Sequence, residues 1–272
     1  MKLSIITVNL NNRDGLKRTI DSVVSQTFTD YEWIVIDGGS NDGSRELIEQ
    51  YSDHFAYWCS EPDKGIYNAM NKGIAHAKGE WLQFLNSGDW LYEDTIFEKV
   101  FSREYDADVV YGDVALINPN TLTISHIEKE PEQINLKYLY SHTLCHQSSF
   151  YKNTVFKQYK YNENYRICSD WELYLILLAN NYKFQHIPFI MVNYVLGGTC
   201  DQNPELNMSE RVSVLEKYIP NNLINDYYKG KLANQKEILY KQHRSIRTVA
   251  KCNNIIIAFL IKIIYFFEKK PK

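Results

Sequence analysis

Within the first ninety residues of this 272-residue chain, four short apolar runs end in clusters of small polar residues. "LSIITV" (3–8), "EWIVID" (32–37), "FAYWCS" (55–60) and "EWLQFLN" (80–86) read as strands. Uninterrupted β-branched and aromatic runs suit strands covered on both faces, as in a parallel sheet. Between them, Leu16, Ile20, Val23 and Val24 recur at helical spacing. Ser40 or Asp42 is placed to cap a helix carrying Leu47, Ile48 and Tyr51. Residues 66–78 set Ala69, Met70, Gly73, Ile74 and Ala77 on one side of a further helix. This alternation predicts an α/β fold with a mainly parallel, doubly wound sheet flanked by helices. Such sheets bind ligands beyond the carboxyl ends of their strands. The polar clusters Asn9–Asn12, Asp37–Ser44, Glu61–Lys64 and Asn86–Asp89 all fall there, so they are expected to share one site.

Past residue 105 the rhythm changes. "ADVVYGDVALI" and "TLTISHIE" resemble a hairpin, "HQSSFY" a short strand, "SDWELYLILLANN" a helix, and "FQHIPFIMVNYV" an extended run. Hydrophobic content of 44% with 23% charged residues excludes a disordered chain. Five scattered cysteines without a CxxC pair argue against a disulfide framework or a zinc site, and for a reducing compartment. The N-terminal apolar run is too short for a signal sequence and reads as a first strand.

The formal net charge of −3 conceals an asymmetry. Residues 229–272 carry 11 Lys/Arg and 2 Asp/Glu, while the rest carries 19 and 31. Within the basic part, Ile255 to Phe267 is a 13-residue, nearly all-apolar run flanked by Lys and Arg. As a helix it reaches about 20 Å, short of the roughly 30 Å hydrocarbon core. The division expected is a catalytic domain over 1–225 and a basic amphipathic helical tail over 226–272. That tail suits a membrane interface with anionic lipid, or packing on a partner subunit. Nothing in the sequence points to nucleic acid, and one chain leaves the oligomeric state open.

Asp37, ending the second strand, occupies the place where dinucleotide-binding folds put an acid for ribose hydroxyls. Those folds also need G-x-G-x-x-G after the first strand, and here that turn reads "NLNNRDG". A dinucleotide enzyme is therefore the weaker alternative, and a tight turn with a helix cap equally explains "DGGSNDGS".

Taken in order, "SIITVNLNN", "VIDGGSNDGS", "DKGIYNAMNKGIAHAKGEW", "FLNSGDWL" and "SDWELYL" resemble glycosyltransferase family 2 with its GT-A fold. Within the family they are most similar to bacterial transferases of polysaccharide assembly, of the colanic-acid type. The resemblance covers about residues 1–195. It implies transfer of a sugar from a nucleotide diphosphate to an acceptor hydroxyl of a saccharide or lipid-linked saccharide, with inversion. Val8, Asn9 and Asp37 would contact base and ribose, and Asp63 and Lys64 would lie along the donor cleft. Asn71 would order the cleft, and Leu10 stands where an aromatic is common. "NSGD" aligns with a D-x-D-D pattern whose carboxylates hold Mn²⁺ or Mg²⁺ between protein and donor diphosphate. Asn86 and Gly88 replace two of them, so Asp89 is the expected metal ligand, with Asn86 and Ser87 offering neutral hydrogen bonds to the donor. Asp170 matches the family's base, which must take the proton from the attacking hydroxyl; Ser169 replaces the usual preceding Glu. His146 and Gln147 match a pair near acceptor or diphosphate. The expected place of work is the cytoplasmic membrane face, on a route to bacterial surface polysaccharide. A catalytically silent nucleotide-sugar-binding protein is the alternative that the thinned carboxylates raise.

Overall fold

The computed structural model of the chain describes residues 1–218, apart from the side chains of Tyr140 and Ser141. The tail expectation, including the apolar run at 255–267, lies outside the described residues. Met1–Lys217 forms one compact unit.

The chain begins β1 (Leu3–Asn9), α1 (Arg13–Val24), β2 (Tyr31–Asp37), α2 (Ser44–Gln50), β3 (Tyr57–Ser60), α3 (Ile66–His76) and β4 (Trp81–Phe84). It continues through β5 (Trp90–Leu91), α4 (Ile96–Phe101), β6 (Val109–Ile117), β7 (Ile124–Glu128), α5 (Leu136–Ser141) and β8 (Ser149–Lys152). The last elements among the described residues are α6 (Asn153–Gln158), α7 (Ser169–Ala179), β9 (Phe184–Val195), α8 (Thr199–Gln202) and α9 (Pro204–Tyr218). All strands join one sheet in the order β3-β2-β1-β4-β8-β6-β9-β5, with β7 also paired to β6.

The first four strands are mutually parallel; β1, β2 and β4 are buried, while β3, at the edge of the sheet, is half-buried. β1 lies between β2 and β4, and every one of its residues is buried. Helix α3 crosses this sheet closely because Gly73 faces Ile6; a Cβ there would lie 2.4 Å from Ile6 Cγ2. Two buried polar pairs tie this core together: Trp33 Nε1 donates to Thr7 Oγ1 at 2.9 Å, and Ser4 Oγ to Glu32 Oε1 at 2.6 Å. Burial without such partners would cost several kcal/mol.

The second half inserts β8 antiparallel between β4 and β6. β6 and β7 form the antiparallel hairpin read from the sequence, and β9 returns parallel to β6. β8 is preceded by a single tight turn at His146–Ser148, which places that turn beside the carboxyl end of β4. Helix α7 is apolar all round apart from its first turn and is correspondingly buried. Its amino-terminal turn carries Asp170. Among the described residues, no helix is long and apolar enough to cross a membrane.

Candidate active site

The strand ends at β1 and β2 form one wall. Asn9 Nδ2 donates to Asp37 Oδ1 at 2.7 Å and to Ser40 Oγ at 3.2 Å. Asp37 is fully buried and also accepts from Ser40 Oγ (2.5 Å), Ser60 Oγ (2.6 Å) and the Ser40 amide (2.9 Å). These bonds to Ser40, Ser60 and Asn9 hold its carboxyl below the usual range against the opposing effect of burial. Asp37 therefore stands behind the wall as the anchor of Asn9, Ser40 and Ser60, with its oxygens occupied; it does not offer an empty pair to a diol. Val8 contributes its carbonyl to the Ser87 amide at 3.0 Å. Leu10, 58% exposed, overhangs Gly38. A Cβ at Gly38 would lie 2.7 Å from Asp63 Oδ2 and 3.2 Å from Leu10 Cδ1, so these three residues frame one narrow gap. Lys64 is exposed next to Asp63; the hydrogen bond from Asn71, then that from Asn68 and the charge of Lys64, lower the pKa of Glu163.

Asn71 is a tie between halves of the site. Its Nδ2 donates to the Tyr161 carbonyl (2.8 Å) and Glu163 Oε1 (2.9 Å), and its Oδ1 accepts the Tyr161 amide (3.0 Å). Helix α3 is thereby fastened to the segment that enters α7.

The "NSGD" turn is built on Gly88, whose φ of 108° is a left-handed conformation that favours glycine. A second carboxylate at that position would be strained. Thr19 Oγ1 supports the turn, donating to the Asp89 carbonyl at 2.7 Å and accepting the Gly88 amide at 3.1 Å. Asn12 Nδ2 donates to the Ser87 carbonyl at 2.9 Å. Asp89 points inward: Oδ1 accepts the Val195 amide (2.9 Å) and Oδ2 accepts Gln147 Nε2 (2.8 Å). It is 6% exposed, and burial raises its pKa to about 6. Asp89, the expected metal ligand, is buried, and each of its oxygens accepts one hydrogen bond from the protein, which leaves further lone pairs on both. Among the described residues no group of three or more His, Cys, Asp or Glu side chains is gathered for a cation. The one oxygen of the motif left buried and unpartnered is the neutral Asn86 Oδ1. Gln147 is 4% exposed and ties β4 to Asp89 from within, its carbonyl accepting Gln83 Nε2 at 2.8 Å.

His146 faces the other way. One ring nitrogen, Nε2, lies 3.0 Å from Asn86 Nδ2, and the other, Nδ1, 3.2 Å from Asp170 Oδ2. With the proton on Nδ1, the ring donates to Asp170 and accepts from Asn86, which satisfies both contacts. Asp170 Oδ1 accepts the Tyr67 hydroxyl (2.9 Å) and the Trp171 amide (2.9 Å). Bonds to His146 and Tyr67 lower the pKa of Asp170 although burial alone would raise it, so it is held ionised. A continuous polar chain thus runs Asn86–His146–Asp170–Tyr67, joining the β4 tip to the start of α7. Tyr67 was not singled out in the sequence; its place in the first turn of a helix with apolar spacing looks like core, and only the Asp170 contact across 103 residues reveals it.

The model of "Glycosyl transferase family 2" matches residues 4–166. A "PGL/p-HBAD biosynthesis glycosyltransferase" of Mycobacterium tuberculosis (strain ATCC 25177 / H37Ra) is 32% identical over 184 residues, covering 65% of this chain and 70% of that protein. An uncharacterized glycosyltransferase of M. tuberculosis (strain ATCC 25618 / H37Rv) is 51% identical over 88 residues, 32% of this chain and 34% of that one. Among solved structures, S. aureus TarS 1-349 in complex with UDP superposes with a TM-score of 0.65 at 16% identity, covering 90% of this chain and 75% of that chain. The mannosyltransferase PcManGT from Pyrobaculum calidifontis, in complex with GDP-Man and Mn²⁺, gives a TM-score of 0.63 at 12% identity, covering 98% and 80%.

Proposed function

The chain belongs to glycosyltransferase family 2 and has the GT-A fold, and from that premise we propose an inverting transfer from a nucleotide-diphosphate sugar to an acceptor hydroxyl. In the proposed reaction the acceptor oxygen forms its bond to the anomeric carbon as the bond from that carbon to the diphosphate breaks. Asp170 receives the acceptor's proton, and His146 and Tyr67 orient its carboxylate. Asn86 and Ser87 face the donor with neutral hydrogen-bonding groups. Asn9 and Asp63 line the base and ribose end, with Asp37 acting through Asn9, Ser40 and Ser60. The acceptor class is a saccharide or lipid-linked saccharide, and the setting is assembly of a bacterial surface glycan at the cytoplasmic membrane face. A relative named for PGL/p-HBAD biosynthesis is in keeping with an assembly role. Structural neighbours that carry UDP, or GDP-Man with Mn²⁺, support a nucleotide-sugar donor accompanied by a divalent cation. Such a cation would sit between the donor's phosphates and the Asp89 end of the turn and would offset the charge of the leaving diphosphate.

The observation that carries this reading is the unbroken Asn86–His146–Asp170 chain, which connects a donor-facing turn to an ionised carboxylate. The test is a thermal-shift screen of UDP-, GDP-, ADP- and dTDP-sugars, with and without Mn²⁺, followed by transfer assays with whichever stabilises. A stabilising donor that is also consumed supports the proposal. A donor that stabilises and is never consumed would instead identify a silent binding protein.

A further inference from the structure

Helix α9 supplies no group to the site just described, yet its Glu210 reaches the segment that leads into the catalytic helix. The Glu210 side chain is 8% exposed. Its Oε1 accepts the amide of Arg166 at 2.7 Å, and its Oε2 accepts those of Ile167 at 2.9 Å and Cys168 at 3.1 Å. These amides immediately precede α7, whose second residue is Asp170. Charge-assisted bonds to three successive N–H groups fix the path of the turn. The far side of the same turn is held by Tyr67, whose hydroxyl lies 2.6 Å from the Ile167 carbonyl and 2.9 Å from Asp170 Oδ1. The next residue of α9 brackets Asp170 from the other flank: the Arg211 guanidinium lies 4.6 Å from the centre of the Trp171 ring. Arg211 Nε also donates to Asn207 Oδ1 at 3.1 Å, the oxygen that accepts from Cys168 Sγ at 3.1 Å. Residues on both sides of Asp170 are therefore referenced to α9.

We propose that Glu210 is a positioning residue for the transfer reaction. Through the 166–168 turn and Tyr67 it sets the direction of the Asp170 carboxylate, so the reaction requires α9 to be seated. This rests on the assignment of Asp170 as base. A displacement of about 1 Å at a reacting group costs on the order of 100-fold in rate. Glu210→Gln, which keeps the reach and loses the charge, is expected to lower kcat by about 10- to 100-fold with the donor KM nearly unchanged.

The test uses the full chain with two variants, Glu210→Gln and Tyr67→Phe, and two readouts. The first needs no substrate: the proton NMR signal of the His146 Nδ1–H, assigned by its disappearance in His146→Gln. Both variants are expected to move or broaden it while the amide spectrum stays dispersed. The second is transfer from the nucleotide-sugar that stabilises the protein, where the double variant should be no slower than the slower single one. An unmoved His146 signal in Glu210→Gln, losses that multiply in the double variant, or a collapse of the whole spectrum would each overturn the proposal. If Asp170→Asn retains transfer, the base assignment falls on its own, and the His146 signal still reports whether Glu210 governs this turn.

Discussion

Asp89→Asn separates a structural carboxylate from a catalytic one. Asp89 is buried against the Val195 amide and Gln147, and burial raises its pKa from the ordinary 3.8 to about 6. The sign follows from linkage. A carboxyl whose folded pKa lies above its unfolded value binds protons more tightly when folded, so the wild type loses stability as pH rises from about 4 to about 6. At 1.36 kcal/mol per pKa unit the full loss is about 3 kcal/mol, of which about 2 kcal/mol falls between pH ~4.5 and ~7.5. Asparagine keeps an oxygen for Val195 and does not titrate. Its melting temperature relative to wild type should therefore climb between those pH values, by about 4–8 °C for a domain of this size. Differential scanning calorimetry of both proteins across that range is the assay. With Asp89 serving the fold, the transfer rate should fall by less than about 10-fold, whereas a lost metal ligand would cost far more. A pH-independent difference in melting temperature would refute the burial argument, and abolished transfer with a native fold would refute the structural assignment.

Two further outcomes follow from the same geometry and a third from the sequence of the tail. Asn71→Ala leaves the Tyr161 amide and carbonyl without their partner and should destabilise by about 1–3 kcal/mol, read by urea unfolding. Leu10→Tyr at the exposed rim beside Gly38 should tighten nucleotide binding several-fold, since a stacked aromatic contributes about 0.5–1.5 kcal/mol, read by calorimetric titration. Removing residues 250–272 should release the protein from anionic vesicles in a flotation assay, and unchanged flotation would sink the membrane role of the tail.

The parallel half of the fold was legible because its signal is local. Runs such as "LSIITV" and "EWIVID" are short, rich in β-branched residues and bounded by turn residues, which marks strands covered on both faces, and β1 and β2 fall where those runs lie. β8 was read as a strand, but its insertion between β4 and β6 is a long-range pairing that no local period encodes. The site shows the same division. Asp37, Asp89 and Asp170 are equivalent letters at the ends of elements, and only the partners say that two face inward and one faces the polar chain. His146 and Gln147 are neighbours in sequence, yet the tight turn before β8 sends one to Asp170 and the other to Asp89. Tyr67 and Glu210 were invisible for the same reason: their roles rest on contacts across 103 and 42–44 residues.

In the proposed transfer Asp170 takes the acceptor's proton while the donor is held elsewhere. Asp170→Asn keeps the shape of the side chain and can still meet Tyr67 and the Trp171 amide. Measured on one preparation, donor affinity and transfer rate give the decision. With Asp170 as the base, donor binding stays within about threefold of wild type and transfer falls by at least about 100-fold, the loss expected for a general base. Transfer near the wild-type rate, with binding intact, would contradict it.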